Sequence, residues 1–194
     1  MPKIKFSLLS IIGGLTLLSS SAYAGVDAEV SYILNTLLFL IGGFLVMWMA
    51  AGFAMLESGL VTSKSVATIA AKNIGLYSIA GLMFWLVGYN LAYGIPEGGF
   101  IGSFLPWSDA SAVDTGYSDG SDWFFQMVFC ATTCSIVSGT LAERIKIWPF
   151  FLFCAILAGV IYPIEMGWQW GGGHLAAAGF SDFAGSTLIH SAGA

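Results

Sequence analysis

Four stretches of this sequence are long and apolar enough to cross a lipid bilayer as single helices. They cover residues 32–55, 74–93, 123–142 and 149–164. A helix that spans hydrocarbon needs roughly 20 mostly apolar residues, because its backbone polar groups find no water there. Only 9% of the residues are charged, whereas a soluble domain has about 25%. The sequence therefore predicts an all-α integral membrane protein embedded in a lipid bilayer.

A fifth apolar run begins near Asp182 and continues to Ala194. A spanning helix needs at least about 17 residues, so this helix is expected to be cut short and the chain to be truncated. At ~1.5 Å per helical residue, His190 would lie roughly 12 Å into the run, near the middle of the bilayer. A titratable group at that depth is a candidate functional residue. The alternative is a hydrogen-bonded packing residue.

The first 24 residues have the pattern of a secretory signal peptide. Lys3 and Lys5 precede a short apolar stretch, and small residues then lead to an A-x-A site that ends at Ala24. We expect residues 1–24 to be cleaved, which places the mature amino terminus outside the cell membrane. The alternative is an uncleaved additional helix.

Charged residues segregate between the loops. The basic residues of the predicted mature chain lie between runs one and two or between runs three and four: Lys64, Lys72, Arg144 and Lys146. The loop at residues 94–122 contains five carboxylates and no lysine or arginine. Because cytoplasmic loops are enriched in lysine and arginine, we expect a plasma (inner) membrane protein with the basic loops cytoplasmic and the acidic loop external.

The cysteines Cys130, Cys134 and Cys154 all fall inside apolar runs, which indicates buried thiols. A metal site would need further ligands nearby, and the sequence shows none, so no metal or cofactor is expected. The spans contain no nucleophile–base pair, phosphate-binding loop or paired carboxylates. These observations argue against an enzyme, and no nucleic-acid partner is expected.

Several aromatic and acidic residues stand out on the predicted external side. Phe125 and Phe129 are four residues apart and share one helix face. Trp170 lies in the loop before the fifth run, and Asp182 stands where a carboxylate can cap free N–H groups of a helix. Each has another explanation: the phenylalanines could be packing residues, the tryptophan an interfacial anchor, and the aspartate only a cap.

Five motifs carry a family resemblance. The segment DFAGSTLIHSAGA at residues 182–194 resembles the signature that opens the fifth membrane helix of the ammonium transporter family (Amt/Mep/Rh). Four other matches occur in the expected order: GFAMLESG at 52–59, KN at 72–73, GTLAER at 139–144 and WGGG at 170–173. The chain is thus similar to the amino-terminal part of a family member. Trp170 favours the Amt branch over the Rh branch.

The resemblance implies roles for individual residues. His190 corresponds to the first of two histidines that line the pore. Phe129 corresponds to the outer phenylalanine of a stacked gate, and Phe125 is its neighbour one turn above. Trp170 resembles the wall of an external ammonium recruitment site, and Asp182 resembles the acidic residue beneath that site.

The resemblance also implies the architecture and the function. Family members have about eleven spans in two inverted halves, so this chain would be an Amt-like helical bundle holding the first half only. Ammonium, or methylammonium as an analogue, would be recruited externally, deprotonated, and passed as ammonia with or without its proton. A homotrimer is expected, and a PII-type protein is a candidate regulator. The alternative function is an ammonium sensor in which a transporter-like domain is fused to a cytoplasmic signalling module.

Overall fold

The computed structural model describes residues 27–194, and this part of the chain consists of helices and loops without β-strands. The predicted signal peptide, residues 1–24, lies outside the described residues and stays a prediction. Within the described part, four helices are long and apolar enough to cross a membrane. The all-α membrane fold expected from the sequence is therefore confirmed.

The first span is a single helix of 33 residues, Ala28–Leu60, with apolar side chains on every side. Its only buried residues are Gly43 and Glu57. Two glycines allow it to approach the third span closely: a methyl group on Gly42 would lie 2.7 Å from the ring of Phe125, and one on Gly43 would lie 2.6 Å from the ring of Phe124. The remaining surface exposes apolar side chains, which is typical of a helix in lipid.

The second and fourth spans each contain a π-helical turn between two α-helical parts. The second span comprises Val66–Met83, the π-turn Phe84–Gly88 and Tyr89–Tyr93. The fourth comprises Ile147–Ile156, the π-turn Leu157–Ile161 and Tyr162–Gln169. Pro163 accounts for the turn in the fourth span, because proline has no N–H to donate to the preceding turn. The two π-turns pack together, and a methyl group on Gly88 would lie 3.1 Å from the carbonyl oxygen of Ala158.

The third span, Asp119–Leu141, lies at the centre of the bundle and contacts every other span. Its buried face is rich in small residues, including Ala131 and Ser135, which let neighbouring helices approach. Cys130 and Cys134 on this span and Cys154 on the fourth are free and buried. The prediction of buried thiols is confirmed.

The loops contact one another at the two ends of the bundle, as expected when successive spans run in opposite directions. At one end, the loops at residues 61–65 and 142–146 touch: the Thr62 N–H donates to Glu143 at 3.2 Å. At the other, the loop at 94–118 meets the segment at 170–187: the Gly98 N–H donates to the Gly172 carbonyl at 3.0 Å. We call these the basic end and the acidic end. Which of them faces outward stays a prediction.

The fifth helix begins later than the sequence suggested. Helical structure starts at Leu188 and runs to Gly193, whereas residues 183–187 form bends and turns. Gly185 has a φ of 79°, a left-handed conformation that interrupts a right-handed helix. The depth of roughly 12 Å estimated for His190 assumed a helix from Asp182, so that estimate was wrong.

The placement of Lys72 in a loop was also wrong. The second span begins at Val66, eight residues before the predicted start, and Lys72 is a buried residue of its helix. A partner makes this burial tolerable, because the Lys72 ammonium forms an ion pair with Glu57 at 2.8 Å.

Candidate functional site

The acidic end contains a concavity of about 900 Å³ that is lined mainly by aromatic side chains. We call it the aromatic cavity. Three predicted site residues line it, namely Phe125, Phe129 and Trp170. Their elements differ: the two phenylalanines lie on the third span, and Trp170 follows the end of the fourth. The structure thus brings together residues 40 and more positions apart in sequence.

The three rings form a continuous chain of edge-to-face contacts. Phe125 and Phe129 have ring centroids 5.0 Å apart with an interplanar angle of 84°. Phe129 and Trp170 follow at 6.0 Å and 64°. Edge-to-face packing leaves part of each ring face free, and the free faces carry the negative side of the aromatic quadrupole. A cation could lie against these faces.

Trp170 is held in place by its polar edge and by its glycine neighbours. Its indole N–H donates to the backbone carbonyl of Asp182 at 2.7 Å. A methyl group on Gly171 would lie 2.0 Å from the carbonyl oxygen of Ala92, so only glycine permits this approach of the chain to the second span. Gly172 has a φ of 76°, which also favours glycine. The WGGG motif therefore positions the tryptophan ring.

Asp182 supports the site without lining it. Its buried carboxylate accepts hydrogen bonds from the backbone N–H groups of Gly185 at 2.8 Å, Thr187 at 2.7 Å and Leu188 at 3.0 Å. Burial acts to raise the pKa of Asp182, but the hydrogen bonds from Leu188, Thr187 and Gly185 outweigh it and hold the pKa below its ordinary value. The capping interpretation is confirmed, and the carboxylate points into its own segment.

His190 does not lie in the aromatic cavity. It sits on the exposed side of the final helix. The buried side of that helix packs on the third span, where a methyl group on Gly193 would lie 2.9 Å from Ile136. The neighbouring Ser191 hydroxyl donates to Glu165 of the fourth span. His190 is therefore not part of the cavity lining in the described part of the chain.

Sequence reasoning missed most of the residues that line the cavity, including Phe39 and Asp122. Phe39 of the first span lies 5.3 Å from Phe125, ring centroid to centroid; the uniformly apolar first run gave no signal for it. Asp122 was assigned to the acidic loop but lies buried in the first turn of the third span. The spacing of Asp122, Phe125 and Phe129, three and four residues apart, could have placed it on the same face.

A family model described as the Ammonium Transporter Family matches residues 37–194, a range that includes the whole aromatic cavity. The chain belongs to the ammonium transporter family.

Curated ammonium transporters align with most of this chain but exceed it in length. Amt2 from Archaeoglobus fulgidus is 40% identical over 169 residues, which cover 79% of this chain and 35% of the relative. The ammonium transporter of Aquifex aeolicus is 35% identical over 182 residues, covering 91% and 43%. The chain therefore spans less than half the length of these relatives.

Solved structures of ammonium transporter family proteins share the fold. A structure named Sensor Amt Protein superposes with a TM-score of 0.74 at 33% identity, covering 82% of this chain and 41% of that one. Candida albicans Mep2 superposes with a TM-score of 0.71 at 24% identity, covering 84% and 38%, which shows the fold alone. The expected Amt-like bundle is confirmed for the part of the fold that this chain covers.

The basic end of this ammonium transporter family chain contains a second buried polar cluster. Glu57, only 2% exposed, pairs with Lys72, whose ammonium also donates to the Ser138 carbonyl at 2.9 Å. The ammonium lies 5.2 Å from the ring centroid of Phe150. The cluster joins all four spans. Sequence reasoning missed it because its two charged members belong to separate motifs 15 residues apart.

Proposed function

We propose that the full-length protein transports ammonium across the plasma membrane, with the aromatic cavity as its external recruitment site. The observation that carries this proposal is the chain of rings formed by Phe125, Phe129 and Trp170 at the acidic end of an ammonium transporter fold. The family assignment supports the substrate, and the geometry supports the place where it binds.

The chemistry of the cavity suits ammonium. The ion carries one positive charge and four N–H donors, and an aromatic face attracts such a cation by about 0.5–2 kcal/mol per contact. The loop at the acidic end contains carboxylates without a lysine or arginine, which favours the accumulation of cations there. Phe125 and Phe129 would bind the ion at the entrance, and Trp170 would form the wall.

His190 would act after the cation has left the cavity. A narrow apolar pore disfavours a bare cation, so ammonium would give up its proton and pass as ammonia. A neutral imidazole can accept a hydrogen bond from ammonia or take up the proton. In the proposal His190 performs this step together with groups of the second half of the full-length protein, and the proton crosses with the ammonia or stays behind.

The proposal includes the environment of the protein. The acidic end and the mature amino terminus would face outward, with residues 1–24 removed as a signal peptide. The full-length protein would form a homotrimer with one pore per subunit, and a PII-type protein is a candidate regulator at the basic end. Asp182 would serve the recruitment site indirectly, by holding Trp170 through its backbone carbonyl.

The transport proposal is tested by methylammonium uptake in cells that lack their own ammonium transporters. The full-length protein should take up methylammonium, and His190→Ala should reduce uptake at least roughly tenfold, equivalent to ~1.4 kcal/mol. The matched control is His174→Ala, which removes the other histidine of the chain; that ring stacks on Phe100 outside the cavity, so uptake should persist. Uptake is normalised to membrane protein. A parent without uptake would refute transport, and a His190→Ala variant with parental uptake would refute the pore role.

An ammonium sensor is the second candidate, and the structural likeness to a protein named Sensor Amt Protein favours it. A sensor would bind ammonium in the same aromatic cavity and pass the signal to a cytoplasmic module. The full-length reading frame distinguishes the two candidates. A kinase or cyclase domain after the last span would support the sensor, provided that the parent binds ammonium without transporting it.

A further inference from the structure

Asp122 places a buried carboxylate in the wall of the aromatic cavity. Its residue is 5% exposed, and it lines the cavity together with Phe125 and Phe129. The Tyr89 hydroxyl donates to Oδ2 at 2.6 Å, and Gln126 Nε2 donates to Oδ1 at 3.1 Å. A carboxylate has about four acceptor positions, so these two neutral donors leave part of its capacity unused.

No basic side chain in the described part of the chain balances this charge. Lys72 is paired with Glu57 inside the bundle, and the other three cations of residues 27–194 lie in the loops of the basic end. A carboxylate removed from water is unfavourable unless a cation or several hydrogen bonds compensate it. The surrounding ring faces also present negative charge. The cavity wall therefore combines a carboxylate and aromatic faces, and a cation is the species that both attract.

We propose that Asp122 is a specificity-determining residue of the aromatic cavity, whose carboxylate supplies the fixed negative charge that favours a small monovalent cation over its neutral amine. The inference rests on the proposed function, because it assumes that the cavity recruits ammonium. Within the cavity, the Asp122 carboxylate meets the charge of the substrate. The rings then hold the cation as it sheds water.

The experiment compares methylammonium uptake kinetics of full-length variants. Asp122→Asn keeps the size of the side chain and removes the charge, so KM should rise by about fivefold or more while the maximal rate changes little. Asp122→Glu restores the charge and should bring KM back toward the parent value. Asp109→Asn is the matched control, since it removes a carboxylate from an exposed, solvent-screened position of the same end and should change KM much less than Asp122→Asn.

A purely structural role for Asp122 predicts a different result. If the carboxylate only anchors Tyr89 and Gln126, Asp122→Asn should lower the amount of folded protein or the maximal rate, and leave KM close to the parent value. Asp122→Ser removes the charge without added bulk and serves where the asparagine variant is not recovered in the membrane. If the parent transports methylammonium and the charge-free variants keep its KM, the inference about Asp122 is overturned while the proposed function stands. A parent without uptake overturns the proposed function instead.

Discussion

The two ends of the bundle bury carboxylates in different surroundings. At the basic end, Glu57 is paired with Lys72 inside the bundle. At the acidic end, the partners that residues 27–194 offer the buried Asp122 carboxylate are the neutral donors Tyr89 and Gln126, beside a cavity of about 900 Å³. A neutralised pair needs no ligand, whereas a carboxylate next to an open aromatic cavity leaves room for a cation. We therefore expect the basic end to stabilise the fold, whereas the proposed role of the acidic end is to bind a cation.

The largest expected effect comes from breaking the pair at the basic end. Lys72→Met leaves the Glu57 carboxylate buried without a cation, which should lower the free energy of unfolding by about 3–5 kcal/mol. Thermal unfolding of the full-length protein in detergent measures the loss. Lys64→Met is the control, because Lys64 is exposed in the loop before the second span and should be nearly neutral. The double variant Glu57→Leu with Lys72→Met should recover most of the loss. Equal melting of the two lysine variants would contradict a stabilising role for the pair.

A second, smaller effect is expected at the acidic end. Asp182→Ala removes the acceptor of three backbone N–H groups and should cost about 2 kcal/mol. The matched control is Asp109→Ala, which removes a carboxylate that accepts the Ser111 N–H on an exposed loop and should change the melting temperature less. A similar loss in both variants would argue against Asp182 as the anchor of its segment.

The same carboxylate gives a pH dependence with a defined sign. The folded-state pKa of Asp182 lies below its ordinary value, so its stabilising contribution is fully present above the unfolded value of about 3.9. The contribution is lost as the pH falls through the folded pKa. The melting difference between the parent and Asp182→Ala should therefore shrink in acid. A difference that persists unchanged in acid would mean that the charge of Asp182 does not stabilise its segment.

The spans could be predicted from the sequence, but the starts of the second span and of the fifth helix could not. Apolar length identifies a spanning helix because lipid leaves no other partner for the backbone. The same rule began the second span too late, since it treats Lys72 as a loop residue and cannot see a partner 15 positions earlier. It began the fifth helix too early, because a capping carboxylate can precede its helix by a turn that contains a left-handed glycine, here Gly185.

The candidate site could also be predicted only in part from the sequence. Helical spacing alone predicts that Phe125 and Phe129 lie on the same helix face, and the structure shows their rings in contact. Trp170 joined them through the resemblance, because a residue 41 positions further on leaves no local pattern. Phe39 and Asp122 escaped notice, since contacts between helices depend on how the spans rotate against each other. The role of His190 stays a prediction.

The smallest expected effect tests whether the acidic end binds a cation through its rings. Trp170→Leu removes one aromatic face and should weaken the apparent affinity for methylammonium by roughly 1 kcal/mol, or about fivefold in KM. Trp168→Leu is the matched control two residues away: its indole N–H donates to the Phe100 carbonyl at 2.8 Å, and its ring lies outside the cavity. Both variants lose an interfacial tryptophan and one hydrogen bond to a backbone carbonyl, so a difference between them isolates the ring face in the cavity. If the two variants raise KM equally, Trp170 anchors the protein and does not bind the substrate, and the contrast between a stabilising end and a binding end would then rest on Asp122 and the phenylalanines alone.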